Sequence, residues 1–337
     1  MVFILFGLAA IVTILAAIEL SNNADVLSGR TSLGGLFVGT VLLGGATSLP
    51  EVTTSISSVL IANPDIAVGN MLGSNMFNIF IIACFDVYYR KIRFFHSSNR
   101  GHLYTAGLGL ILSTMTLIAM VSKLNIMLFG IGLDSFLIAI VYGIGMYVIS
   151  IVSEGLPDNQ MTDLDFDQKE VNNSKSRKTT NIRQAVLNFF LAAVVIMIAG
   201  TLLSIFGDKI AEVTGLGSTF VGSFLLAATT SLPEAVAVFI ALRLKNINIA
   251  IGSILGSNIF NMLILMGTDI AYRNGPILSN VASTHEITAI TVTILSILVM
   301  ISILRKHVPS TISYVIPSLL IIIGYFVATF LTFNGGI

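Results

Sequence analysis

The sequence predicts an all-α membrane protein: ten transmembrane helices in two inverted-topology repeats of five, with broken helices 2 and 7 at the centre. Three observations carry that reading. Hydrophobic residues make up 55% of the chain and charged residues only 10%, with a mean hydropathy of +0.94, whereas soluble domains use about 25% charged residues. Ten windows stay apolar for long enough to span a bilayer. The chain also writes one segment twice. Thr-Ser-Leu-Pro-Glu at 47–51 returns at 230–234, and Gly-Ser-Asn-Met-Phe-Asn at 73–78 returns as Gly-Ser-Asn-Ile-Phe-Asn at 256–261, both at an offset of 183 residues. The same offset pairs Phe37-Val38-Gly39 with Phe220-Val221-Gly222, Asp86 with Asp269, and Tyr89-Arg90 with Tyr272-Arg273, as two copies of one unit should.

The first window, 2–20, lacks a basic stretch ahead of it, and its repeat mate is internal, so it reads as a retained span rather than a signal peptide. Windows at 34–61, 66–88, 103–121 and 126–150 complete a first repeat over residues 1–150. Windows at 185–206, 217–244, 247–271, 287–304 and 312–333 build a second over 184–337. The polar stretch between them, 151–183, places Asp158, Asp163, Asp165, Asp167 and Glu170 ahead of Lys175, Arg177 and Lys178. It reads as a solvated cytoplasmic linker, and its acids lack the spacing of a calcium loop.

Five helices per copy is an odd number, so the second copy enters the membrane from the opposite side. Loop charge then sets the orientation. With the N-terminus outside, the cytoplasmic loops hold Arg30, Arg90, Lys91, Arg93, Arg100, the five bases of the linker, Arg243, Lys245, Arg305 and Lys306, which is 14 of the 17 Lys and Arg. Only Lys123, Lys209 and Arg273 fall on the other side. The positive-inside rule therefore places both termini on the extracytoplasmic side of a multi-pass cell-membrane protein.

Several function classes are disfavoured. Net charge is zero, so nothing recommends a nucleic-acid partner. Cys84 is the single cysteine and reads as a small buried hydrophobe, which leaves no disulfide framework and no thiolate metal site. No nucleophile–base pair or nucleotide loop suggests an enzyme. A channel filter needs several subunits or repeats around a pore axis, which two copies do not supply.

The chemistry concentrates in the repeated segment. Pro50 and Pro233 sit inside long apolar windows, and each lacks the N–H that would bond the carbonyl four residues earlier. The carbonyls of Ala46 and Thr229 are expected to be freed, with Gly44 and Ala227 as neighbours. Glu51 and Glu234 follow these prolines. An acid near mid-bilayer costs about 2.5–3.5 kcal/mol even on the lenient insertion scale, and neither has a Lys or Arg in its stretch of helix. Mobile cations or protons must neutralise them. Thr47 and Ser48 share a helical face with Glu51, as Thr230 and Ser231 do with Glu234. The next window of each copy adds Ser74 with Asn78, and Ser257 with Asn261. Asn75 and Asn258 fall on another face, expected to bond backbone or a neighbouring helix. Gly69, Gly73, Gly252 and Gly256 form small-xxx-small pairs for close helix packing. An inventory of carboxylates, hydroxyls, amide oxygens and carbonyls suits Ca²⁺, Na⁺ or Mg²⁺ rather than zinc or copper. His96, His102, His285 and His307 read as interfacial. Asp86 and Asp269, each with an Arg four residues on, read as surface pairs with that Arg.

On Thr47–Glu51 with Gly69–Asn78, and Thr230–Glu234 with Gly252–Asn261, the chain resembles the sodium/calcium exchanger family of the calcium/cation antiporter superfamily. The resemblance implies a five-plus-five inverted bundle, one Ca²⁺ site among several Na⁺ sites, and alternating access with helices 1 and 6 sliding past the rest. It places the ion ligands on Thr47, Ser48, Glu51, Ser74, Asn78, Thr230, Ser231, Glu234, Ser257 and Asn261. Some members carry an aspartate where this chain has Asn78 or Asn261, so two formal negative charges remain here. Ser253 also stands where the first copy has Asn70. The function expected is Na⁺/Ca²⁺ antiport that extrudes Ca²⁺, with H⁺-coupled antiport of Ca²⁺ or another divalent cation as the alternative. The transported Ca²⁺ and Na⁺, with H⁺ or K⁺ as further coupling ions, are the expected ligands. No cofactor is expected, the surroundings are lipid, and the monomer is the expected working unit.

Overall fold

A computed structural model describes residues 1–31, 33–60, 63–155, 181–214, 226–305, 308 and 310–335. Helix α1 runs Val2–Arg30, ten residues past the end of its apolar window. In the added turns Asn23 Nδ2 donates to the Glu19 carbonyl at 2.7 Å, the Thr31 hydroxyl closes the end on Leu27 O at 2.6 Å, and Ser21 Oγ and Asp25 Oδ1 tie the helix to Ala237 O and Asn246 Nδ2. Gly34, at φ +67°, opens α2 (Gly34–Thr47). Its middle, Val38–Leu43, is wound as a π-helix.

At Ser48 the chain turns by 42° into α3 (Leu49–Leu60). The break falls where Pro50 removes a helical donor. Helix α4 is Pro64–Tyr88, started by Asn63, whose Oδ1 accepts Ile66 N–H at 3.3 Å with proline at the first helical position. Helix α5 is His102–Ser122. The fifth predicted window begins differently from expectation. Met127–Leu128 and Ile131–Gly132 form a two-residue hairpin, β1 and β2, and only then does α6 (Leu133–Gly155) start. Phe129 at φ +54° and Gly130 at φ +82° make the tight turn that a helix cannot contain.

The linker expectation falls almost wholly outside the described residues. Helix α7 is Ile182–Thr214. The first arm of the seventh predicted span, 217–225, also lies outside the described residues. Its second part is described as a short α8 (Ala227–Thr230), a break at Ser231, and α9 (Leu232–Arg243). Helix α10 is Ile247–Ala271, capped by Asn246 Oδ1 on Ile249 N–H at 3.1 Å. Helices α11 (Thr284–Leu304) and α12 (Thr311–Gly335) complete the chain. Among the described residues, eight single helices are long and apolar enough to cross a membrane, and the bent pair α2–α3 makes nine. The protein is a nearly all-helical, multi-span membrane protein.

Helices α4 and α10 form the centre. In each, 83% of the most apolar stretch is buried within the protein, against 17% in α6 and 22% in α1. Lipid is the natural partner for the outward faces of α1, α6 and α12, which carry exposed residues such as Leu15, Ile144 and Phe326. Helices α1 and α7 lie along each other, α1 against α9 and α7 against α3. Close approach at the centre depends on glycine. A Cβ on Gly252 would come 3.0 Å from Thr40 N, and one on Gly256 would overlap the Thr40 carbonyl. The packing role expected for these two glycines is what the helices use, and Gly39 and Gly44 on α2 serve the same contact from the other side.

One expectation fails, and one gains detail: His102 and His285 lie in the first turns of their helices, near the ends of the spans. Both are buried within the protein, and His96 is partly buried; His307 lies outside the described residues. His102 Nε2 pairs with Asn248 Oδ1 at 3.3 Å, and His285 Nε2 with Asp65 Oδ1 at 3.2 Å. Asp86 and Asp269 are also buried, while Arg90 and Arg273 are exposed. Helices α4 and α10 end before these arginines, so the i+4 position leaves the helical face. Asp86 instead accepts the hydroxyls of Tyr314 and Ser318 on α12. Asp269 accepts the N–H groups of Gly132 and Ile277, both at 2.6 Å. Cys84 is only partly buried.

Candidate cation site

The breaks at Ser48 and Ser231 put the start of one helix against the end of another at the protein's centre. Prolines at the second position of α3 and α9 fit, because an N–H there has no intrahelical partner anyway. Glu51 and Glu234 lie in the first turns of α3 and α9, where a helix start favours negative charge. Both carboxylates are fully buried, at 0% exposure.

Eight of the ten predicted residues meet here, Asn78 and Asn261 lie in a neighbouring set of contacts, and most contacts have a mate 183 residues away. Ser48 Oγ donates to Glu234 Oε1 at 3.0 Å, and Ser231 Oγ donates to Glu51 Oε1 at 3.4 Å. The Thr47 and Ser257 hydroxyls meet at 3.2 Å, and those of Ser74 and Thr230 at 3.3 Å. Glu51 also faces Ser74 and Thr230, and Glu234 faces Thr47. Asn78 Nδ2 donates to Asn258 Oδ1 at 3.0 Å, and Asn261 Nδ2 to Asn75 Oδ1 at 2.9 Å.

The expected carbonyls need a correction. Gly44 O accepts Ser48 N–H at 3.3 Å and the Ser257 hydroxyl at 3.0 Å, and Ala227 O accepts Ser231 N–H at 3.0 Å and the Thr230 hydroxyl at 3.2 Å. The last turn before each break tightens onto these oxygens, so they are engaged rather than freed. The Thr229 carbonyl also receives the Ser231 N–H.

Several buried polar atoms here are left over, the Asn70 amide nitrogen and the Ser253 hydroxyl among them, and four of them carry the chemistry. Glu51 Oε2, Glu234 Oε2, Asn78 Oδ1 and Asn261 Oδ1 are buried and have no hydrogen-bond partner. All four are acceptors, and a buried acceptor without a donor costs roughly 1–3 kcal/mol, more when charged. Two of them are carboxylate oxygens with no basic side chain beside them. Among the described residues no group of three His, Cys, Asp or Glu gathers anywhere, so the donor set is oxygen from acids, amides and hydroxyls. Such a set fits a hard cation.

Sequence reasoning missed some contributors. Asn70 Oδ1 accepts the Thr230 hydroxyl at 3.3 Å, a contact its replaced mate Ser253 cannot copy. Pro50 packs so tightly on α7 that a Cβ at Gly200 would lie 2.8 Å from its Cβ. The repeat marks Asn70 only as the position where the second copy has Ser253, and no spacing rule marks Gly200. Asn75 and Asn258 were visible as the third residue of the repeated Gly-Ser-Asn segment.

Membrane-length helices closed around a buried, doubly acidic oxygen cluster define a class, the membrane cation transporters. The family model described as sodium/calcium exchanger protein matches residues 1–153 and 184–334. The chain belongs to the sodium/calcium exchanger family, a family of transporters rather than enzymes. It is 26% identical over 267 residues to CaxA of Alkalimonas amylolytica, covering 79% of this chain and 78% of that one. It is 42% identical over 57 residues, 17% of this chain and 16% of the other, to the sodium/calcium exchanger MaX1 of Methanosarcina acetivorans. The fold matches that of the sodium-calcium exchanger NCX_Mj, from crystals soaked with Na⁺ and Sr²⁺, with a TM-score of 0.67 and 16% identity over 97% of this chain and 98% of that one. The chain is thus a cation antiporter by family.

Proposed function

We propose that this protein exchanges Na⁺ for Ca²⁺ across the cell membrane by alternating access, with the Na⁺ gradient driving Ca²⁺ out. One observation carries the reading: four buried acceptor oxygens, two from each repeat, have no donor to satisfy them. A divalent ion between Glu51 and Glu234 balances both charges. The hydroxyls of Thr47, Ser48, Thr230, Ser231, Ser74 and Ser257 and the oxygens of Asn78 and Asn261 complete its surroundings. Na⁺ uses overlapping oxygens, so the two ions load in turn. The two units, 1–150 and 184–337, run antiparallel through the membrane with both termini outside, and one copy of the chain suffices.

Proteoliposomes loaded with Na⁺ test this. An outward Na⁺ gradient should drive ⁴⁵Ca²⁺ uptake, and no uptake rejects the proposal. A specific feature favours a second reading, exchange of protons for Ca²⁺: with asparagine at both 78 and 261, the site keeps only the two glutamates to carry charge, and two protons balance one Ca²⁺. Uptake that follows a pH gradient, without Na⁺, selects that reading.

A further inference from the structure

Four asparagines, two from α4 and two from α10, form a closed crossed lattice. Asn75 Nδ2 donates to the backbone carbonyl of Asn258 at 3.1 Å, and Asn258 Nδ2 returns the bond to the carbonyl of Asn75 at 3.3 Å. These reciprocal bonds leave each side-chain oxygen free to accept. Asn258 Oδ1 takes Asn78 Nδ2, and Asn75 Oδ1 takes Asn261 Nδ2. All four residues are buried.

A carboxamide has one acceptor end and one donor end. An unheld amide beside a cation can present either, and the donor end repels the ion. Here the donor ends of Asn78 and Asn261 are engaged by the opposite repeat, and their oxygens are the ends left without partners. We infer that Asn75 and Asn258 are positioning residues: each locks the carboxamide of the other repeat with its oxygen toward the cation. They touch no ion themselves. The inference rests on the cation-site reading above.

The lattice makes a crossed prediction. Asn258→Ala keeps the backbone carbonyl that Asn75 uses, so it releases Asn78 and leaves Asn261 held. Asn75→Ala does the reverse. In detergent-solubilised full-length protein, Ca²⁺ binding measured by calorimetry should weaken roughly threefold to tenfold in each, the loss of one net hydrogen bond. Adding Asn78→Ala to Asn258→Ala should then be no worse than Asn78→Ala alone, whereas adding Asn261→Ala should multiply the losses. Asn75 should show the opposite pairing. A merely structural role would lower thermal stability and weaken both carboxamides alike, and that uncrossed pattern overturns the inference. If the alanine variants do not fold, the wild-type protein crystallised with Sr²⁺ decides. Asn78 and Asn261 should turn Oδ1 to the ion while Nδ2 keeps its bond across the repeats, and an amide facing the ion through nitrogen, or detached from its partner, overturns it. Wild-type protein that binds neither ion refutes the site itself, a separate outcome from bound ion without crossed coupling.

Discussion

The hydroxyl of Ser48 donates to Glu234, 3.0 Å away across 186 residues of sequence. Its mate, Ser231, does the same for Glu51. Each acid is thus steadied by the repeat it does not belong to, and the site exists only where both repeats meet.

Removing one of these hydroxyls should weaken cation binding without emptying the site. Ser48→Ala and Ser231→Ala are each expected to raise the Ca²⁺ dissociation constant about tenfold, the scale of a hydrogen bond to a charged group. Glu51→Gln and Glu234→Gln should abolish exchange while the protein still folds. Calorimetry, flux in liposomes and size-exclusion profiles of the same preparations check all four.

Gly256 faces the Thr40 carbonyl with no room for a methyl group, whereas nothing lies within 4 Å of a Cβ placed on Gly107. Gly256→Ala should therefore cost about 1–3 kcal/mol through overpacking. Gly107→Ala, in mid-helix, should be neutral or stabilising by up to about 1 kcal/mol. Thermal unfolding in detergent separates them, and equal effects would contradict the packing described.

Asp86 is held by Tyr314 and Ser318, not by Arg90. Tyr314→Phe should cost about 1–3 kcal/mol, since it strips a buried carboxyl group of a donor. Arg90→Ala should change stability by less than about 0.5 kcal/mol, as exposed positions do. A larger effect at Arg90 than at Tyr314 would restore the surface-pair view.

The histidine contacts offer a matched comparison. Asn248 Oδ1 accepts Asn99 N–H at 3.0 Å and pairs with buried His102, while Asp65 Oδ1 accepts Ala282 N–H at 2.7 Å and pairs with His285. The first cluster is enclosed, but the Asp65 side chain is 47% exposed. Asn248→Ala should therefore cost about 1–3 kcal/mol and Asp65→Ala about 1 kcal/mol or less, again by thermal unfolding.

Much of this arrangement was legible in the chain. An unpaired acid inside an apolar window is costly enough to announce itself, and Glu51 and Glu234 do so beside matching prolines. The repeat then supplied Thr47, Ser74 and Asn78 with their mates. What stayed hidden depends on contacts that no local pattern encodes. Asp86 finds Tyr314 across 228 residues, and a spacing rule offered Arg90 instead because it assumed the helix continued. His102 and His285 stand at the same 183-residue offset, but their partners, Asn248 and Asp65, differ in kind, which masks the correspondence. The hairpin before α6 was read as helix because its residues are as apolar as the span that follows.

On the proposed cycle, with both buried acids ionised, the carrier is also an electrical device. Loaded with one divalent ion, the core of the protein is neutral, and a transmembrane voltage has nothing to push. Loaded with monovalent ions, its charge is their number minus two. Voltage then acts on that half of the cycle alone, by about 2.3 kcal/mol for each unit of charge per 100 mV. The reversal potential of the exchange current at known gradients would count the ions.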